Sequence, residues 1–127
     1  MFEKLELTRM AQALAAQSGS RMAVIAENVA NADTPGYKAK DVPAFAAVYE
    51  AAGMDLRATR PGHLTVPSAS GTPKPGTARG HESPNGNSVS LEAEMVKSVE
   101  ARQSHDMALA IYRATSDVIR ASLGRSR

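Results

Sequence analysis

A chain of 127 residues gives room for one domain. Hydrophobic residues make up 43% of it, but much of that share is alanine, with only three tyrosines and two phenylalanines; this composition builds thin helix–helix seams better than a thick core. A formal net charge of +2 without a long basic run argues against nucleic-acid binding, and the absence of cysteine excludes a disulfide framework and thiolate metal sites.

Residues 4–31 read as one helix. Leu7, Met10, Ala11, Leu14, Ser18, Met22, Ile25 and Val29 recur at spacings of three and four and share a face, with Arg9, Gln12, Ala16 and Glu27 turned away from it. At 1.5 Å per residue the helix would be about 40 Å long. Gly19, between two serines, costs about 1 kcal/mol relative to alanine and marks a weak point. Glu3, Lys4 and Glu6 interrupt the N-terminus and no apolar core follows Met1, so no cleavable export signal is expected.

Thr34-Pro35-Gly36-Tyr37 then reads as a type II turn. Pro35 presets a negative φ at the second position, and Gly36 tolerates the positive φ required at the third. Thr34 precedes proline and is pushed out of the α region, so the helix stops at or before it. Asn31 and Asp33 suit the left-handed and capping conformations of a helix exit. Lys38, Lys40 and Asp41 read as solvated charges. Residues 44–52 can form two helical turns that expose Phe45, Val48 and Tyr49 on one face, stopped by Gly53.

Residues 55–67 can close a small hairpin about the Arg60-Pro61-Gly62-His63 turn. Residues 67–88 alternate prolines and glycines among small polar side chains and read as a loop that orders only in an assembly, with His81-Glu82 solvated.

Residues 90–123 read as the second long helix, roughly 50 Å if unbroken. Ser90 is its N-cap, and Glu92 and Glu94 sit favourably near the positive helix end. The main apolar stripe is Val96, Val99, Gln103, Met107, Ala110, Ile111, Ala114, Val118 and Ala121. A second set, Leu91, Met95, Leu109, Tyr112, Ile119 and Leu123, falls on roughly the opposite side. A surface helix normally has one apolar face; two faces imply that other subunits cover what the first helix cannot. The fold class expected is therefore mainly α: two long terminal helices in an antiparallel coiled-coil-like pair, joined by an extended, loop-rich middle with a short hairpin.

No catalytic constellation is supported. Ser104, His105 and Asp106 are consecutive on a helix and point about 100° apart, so they cannot hydrogen-bond in series. His63, His81 and His105 lack metal-ligand spacing, and Gly71, Gly76 and Gly80 make no phosphate loop. No cofactor, metal, nucleic acid or small-molecule substrate is expected. No segment approaches the ~20 apolar residues of a membrane span.

The string Asn28-Val29-Ala30-Asn31-Ala32-Asp33-Thr34-Pro35-Gly36-Tyr37-Lys38-Ala39 closely resembles the N-terminal signature of the flagellar rod and hook protein family. Two further stretches are similar to proximal rod proteins: Thr59-Arg60-Pro61-Gly62-His63-Leu64, and Asn85 to Glu94, which resembles the B-type branch. There Ser90 and Glu92 stand where aspartates are usual; serine keeps the capping ability and glutamate the charge.

The resemblance implies a structural subunit of the basal-body rod, residues 1–127 forming one rod-type unit with helices at 4–31 and 90–123 around a middle of 32–89. It implies a periplasmic rod location in the flagellar basal body, reached through type III export without a cleaved signal. The partners implied are other copies of the chain, other rod subunits, the rod adaptor protein, and the membrane-anchored MS ring or export gate. The shaft so built transmits torque and carries exported subunits. Assembly contacts are expected at Leu14, Met22, Ile25, Asn28, Val29, Asn31, Thr34, Pro35, Gly36, Tyr37, Leu109 and Tyr112. The alternative is a cytoplasmic helical adaptor or regulator acting as a coiled-coil dimer. A stable dimer with a cooperative melt favours the adaptor; a monomer with frayed helices favours the rod subunit.

Overall fold

A computed structural model describes residues 2–52, 74–78 and 82–124. The hairpin expected over 55–67, the Thr59–Leu64 stretch and Gly53 lie outside the described residues. The chain is mainly helical, with α1 over Phe2–Ala30, α2 over Phe45–Ala52 and α3 over Leu91–Ser122. Two short strands, β1 (Lys40–Asp41) and β2 (Gly76–Thr77), pair antiparallel with Lys40 opposite Thr77 and Asp41 opposite Gly76.

α3 starts at the cap, and α1 is followed by the turn, that the sequence indicates. Ser90 is extended at φ −109°, ψ 118°, and its hydroxyl accepts the Ala93 N–H at 3.4 Å, as an N-cap should. Gly36 has a φ of +72°, and the Tyr37 N–H donates to the Thr34 carbonyl at 3.3 Å, closing the expected turn. The exit from α1 is not left-handed, however, because no described residue other than glycine has a positive φ. Asn31 instead turns its side-chain amide back onto the Glu27 carbonyl at 2.8 Å.

α1 and α3 pack antiparallel. Asn28, near the end of α1, meets Glu94 at the start of α3, while Ala11 shares a groove with Ala108 in the later half of α3. α3 buries Glu94, Ala101, Ala108 and Thr115, each seven residues from the next. α1 answers with Ala11, Ser18 and Ile25, again seven apart, flanked by Gln17, Val24 and Asn28. A strict seven-residue repeat is the periodicity of a coiled-coil seam.

The composition of that seam corrects the sequence reading. Both apolar sets of α3 lie largely outside the contact. Val96, Val99, Met107 and Val118 of the main stripe are exposed, as are Leu91, Met95 and Leu123 of the second. Leu7 and Val29 of the α1 stripe are exposed too. The physical reason is close approach: alanine, serine and threonine fit a narrow line between two helices, whereas bulky side chains would hold the axes apart. Ala108→Leu should therefore overpack the seam and cost about 1–3 kcal/mol, read from the urea unfolding midpoint. Ser18→Ala should be neutral or slightly stabilising in the same experiment, because the buried Ser18 hydroxyl has no hydrogen-bond partner.

The middle segment is also more ordered in part than its composition suggests. β2 pairs with β1, and the Ala78 N–H extends the pairing to the Ala39 carbonyl at 2.8 Å. Lys38 pairs with Glu82, Lys40 with Glu27, and Asp41 with both Arg21 and Lys97, while the Lys38, Glu82, Lys40 and Glu27 side chains stay about half exposed to solvent. α2 sits beside α1, where the Gln17 amide donates to the Pro43 carbonyl at 2.8 Å. The Phe45 and Tyr49 rings stack 5.3 Å apart on one face of α2.

Candidate assembly site

The signature residues gather at one end of the helix pair, around two buried asparagines. Asn28 has no solvent exposure. Its amide nitrogen donates to the Lys40 carbonyl at 2.7 Å and to Glu94 Oε2 at 3.0 Å. Its amide oxygen accepts the Lys40 N–H at 2.9 Å and faces the Tyr37 hydroxyl at 3.4 Å. The side chain thus engages both backbone groups of Lys40, much as a neighbouring strand would. A buried amide whose donors and acceptor are all used carries no desolvation penalty of the kind an unpaired one carries.

Glu94 is nearly as buried, and Lys97 neutralises it at 2.9 Å. Lys97 also approaches Asp41 at 3.4 Å, and Asp41 faces Arg21 at 3.5 Å. Partial burial works against the Lys97 ammonium, but the bond from Glu94 and the charge of Asp41 outweigh it and hold its pKa above the ordinary value. The hydrogen bond from Lys40 holds Glu27 below the usual carboxylate range. Burial pushes the Tyr37 phenol up, and the Glu27 charge adds to this. Linkage gives these directions opposite consequences. The contribution of Lys97 is complete below its unfolded pKa and is lost as pH rises through the raised value; that of Glu27 is present above its unfolded pKa and is lost as pH falls through the lowered one. Both groups are charged at neutral pH.

The second asparagine, Asn87, comes from the loop before α3 and is 2% exposed. Its amide nitrogen donates to the carbonyls of Asn31, Ala32 and Thr34 at 3.0, 2.8 and 2.9 Å. Its amide oxygen accepts the Val89 N–H at 2.8 Å. Around it, the Gly36 N–H donates to the Asn85 carbonyl, the Ser88 N–H to the Tyr37 carbonyl, and the Ala39 N–H to the Ser88 hydroxyl. Gly86, at φ +78°, lies so close that a Cβ there would sit 3.5 Å from the Gly36 Cα.

The expected site residues divide into three groups. Ile25 and Asn28 are buried within the chain, Ile25 in the seam and Asn28 against Lys40 and Glu94. Thr34, Pro35 and Gly36 form an exposed edge, with Val29 exposed nearby in sequence and Asn31 and Tyr37 half-buried behind. Leu109 and Tyr112 lie toward the other end, lining a shallow apolar groove with Ala11, Gln12, Ala15 and Ala108. Leu14 and Met22 are half-buried on α1. The sequence places Asn87 in the loop of residues 67–88 and Glu94 near the positive end of a helix, and joins neither to the signature. The polar character of Asn28 and Glu94 at helical positions otherwise facing a partner was the available signal.

Ser104 donates to the Glu100 carbonyl at 2.9 Å, as a helical serine commonly does, and makes no bond to His105. Among the described residues no group of three or more His, Cys, Asp or Glu could hold a metal ion. No helix among them is long and apolar enough to cross a membrane.

Comparison with known proteins reaches the same region. A family described as "Flagella basal body rod protein" matches residues 9–38, which span most of α1 and the turn after it. The chain is also 32% identical over 111 residues to the flagellar basal body rod protein FlgB of Agrobacterium fabrum, a match covering 83% of each protein. With that extent of identity, and with the signature built into the end of the helix pair, the chain belongs to the flagellar basal-body rod protein family, FlgB type.

Proposed function

We propose that this chain is a structural subunit of the proximal rod, placed in the periplasmic part of the basal body. The observation that carries the reading is the disposition of α3. Its seam with α1 takes up Glu94, Ala101, Ala108 and Thr115 but none of its large apolar residues Val96, Val99, Met107 and Val118, which remain exposed along it. Exposed apolar stripes of this length mark interaction surfaces. Repeated heterologous contacts that do not close into a ring generate a helical tube, which suits a shaft that transmits torque and passes exported subunits. The neighbours fitting that position are copies of the chain, other rod subunits, the rod adaptor protein, and the MS ring or export gate. The role is structural and not enzymatic. Leu14, Met22, Val29, the Thr34–Tyr37 edge, Leu109 and Tyr112 supply contacts; Ile25 and Asn28 act from inside the subunit by fixing its shape.

Mass spectrometry of detergent-purified hook–basal bodies tests the class. The chain should be present in amounts comparable to other minor rod proteins. Its absence from intact basal bodies removes the rod reading and returns the helical adaptor. The surface is tested by Val99→Asp. Val99 is 67% exposed, so the variant should keep its fold. A charge on an apolar contact should nevertheless block incorporation and abolish swimming. A Val99→Asp strain that swims normally places the subunit contact elsewhere.

A further inference from the structure

We propose that Asn87 and Asn28 form a latch that makes the turn at residues 31–40 conditional on the docking of α3. The last carbonyls of any helix need partners from outside it. A glycine just beyond the helix usually supplies them locally, through a left-handed residue. Here Asn31, Ala32, Asp33, Thr34 and Pro35 follow Ala30, and no glycine occurs before Gly36. The Ala32 carbonyl is held by Asn87, and the Asn31 and Thr34 carbonyls share Asn87 with the local Thr34 and Tyr37 N–H groups; Asn87 lies 53 to 56 positions away.

One side-chain amide does not offset the entropy of closing so long a loop. Docking of α3 along the seam closes it, and Glu94 on α3 meets Asn28 on α1 only in the docked state. Asn28 in turn fixes both backbone groups of Lys40, so each side of the turn depends on α3 or on the loop before it. The Gly36, Ala39 and Lys40 amides have their partners on Asn85, Ser88 and Asn28 respectively. None of these three amides is held by the turn's own residues. The Thr34–Tyr37 turn closes on its own backbone bond, but the segment from Gly36 to Lys40 is fixed in place last, and the exposed Thr34–Gly36 edge takes its position only in a chain whose two helices have already paired. That this edge then meets a neighbouring subunit rests on the rod reading; the latch itself does not.

Hydrogen exchange on the full-length subunit reads the latch alone, so its failure is distinct from failure of the rod reading. Asn87→Asp keeps the shape but removes the donors. The Gly36, Ala39 and Lys40 amides should exchange roughly tenfold faster than in the wild type, while those between Ala101 and Ala108 hold within about twofold. Unchanged turn protection overturns the proposal, as does a wild-type chain in which the turn is unprotected while α3 is protected. If Asn87→Asp does not fold, pulse-labelled refolding of the wild-type chain decides. Turn amides should gain protection together with or after those of α3. Turn amides protected before α3, or neither set protected in the single chain, overturn it.

Discussion

Asn28→Ala should destabilise the helix pair by about 3–5 kcal/mol, a large part of the roughly 5–15 kcal/mol that holds a domain of this size together. The side chain is fully buried and serves three partners. Truncation leaves the Lys40 N–H and carbonyl without partners and leaves the Glu94 carboxylate with Lys97 alone. Each such group costs about 1–3 kcal/mol when stranded. Asn28→Asp gives a sharper test, because the donor to Glu94 Oε2 at 3.0 Å becomes a second carboxylate oxygen. Two carboxylates at that distance cannot both ionise, so one takes up a proton and its folded pKa rises. A raised folded pKa gives stability that is complete below the unfolded value of about 4 and is lost as pH rises through the folded value. The aspartate variant should therefore be more stable near pH ~4.5 than near pH ~7.5, relative to wild type at each pH. Urea unfolding at the two pH values measures this. An alanine variant within about 1 kcal/mol of wild type, or an aspartate variant whose pH profile parallels wild type, removes Asn28 as the bridge between the helices.

The two helices and the turn were legible in the sequence because each is specified locally. Ser90 caps α3, Pro35 and Gly36 define the turn, and the expected helix bounds of 4–31 and 90–123 differ from the observed Phe2–Ala30 and Leu91–Ser122 by no more than two residues at any end. The family was legible because its signature lies in that locally specified stretch. The faces were harder to read. Apolar periodicity ranks residues by size, and in α3 it selected Val96, Val99 and Met107, which point outward. The seam follows Glu94, Ala101, Ala108 and Thr115, visible only when small residues at a spacing of seven are counted as contacts. The partnership of Asn87 with the end of α1 was not legible, since nothing local distinguishes an asparagine that holds distant carbonyls from one that merely lies in a loop.

This division has a physical basis in what each interaction must satisfy. A turn needs particular φ values, which residue type alone dictates, whereas a cap supplied from 53 to 56 residues away needs only a buried amide in the right place. The large apolar residues of α3 satisfy neither demand inside the subunit. They have a role only if the chain is read as one part of a larger body, which is also where the resemblance and the comparisons point.

Substitutions at Gly36 should fall in a fixed order. Its φ of +72° lies in the left-handed region, but a Cβ built there meets nothing within 4 Å. Space is therefore not the obstacle, and any effect comes from the backbone. Asparagine visits this region most readily among non-glycine residues, alanine less so, and a β-branched valine is a genuine outlier. Gly36→Asn should be mild, Gly36→Ala intermediate, and Gly36→Val worst, at about 1–3 kcal/mol of local strain. Either the turn flattens and the Gly36 N–H leaves the Asn85 carbonyl, or the strain is retained at the edge formed with Thr34 and Pro35. Because that edge is exposed and contributes no side chain to the seam, Gly36→Val should accumulate in the cell close to wild-type levels yet fail to assemble. Swimming in soft agar and incorporation into purified basal bodies measure the outcome. Normal swimming by the valine strain removes the assembly role of the turn. A ranking by side-chain volume, with asparagine worse than alanine, indicates that a neighbouring subunit packs directly against this glycine and that space in the assembled rod, not φ, sets the requirement.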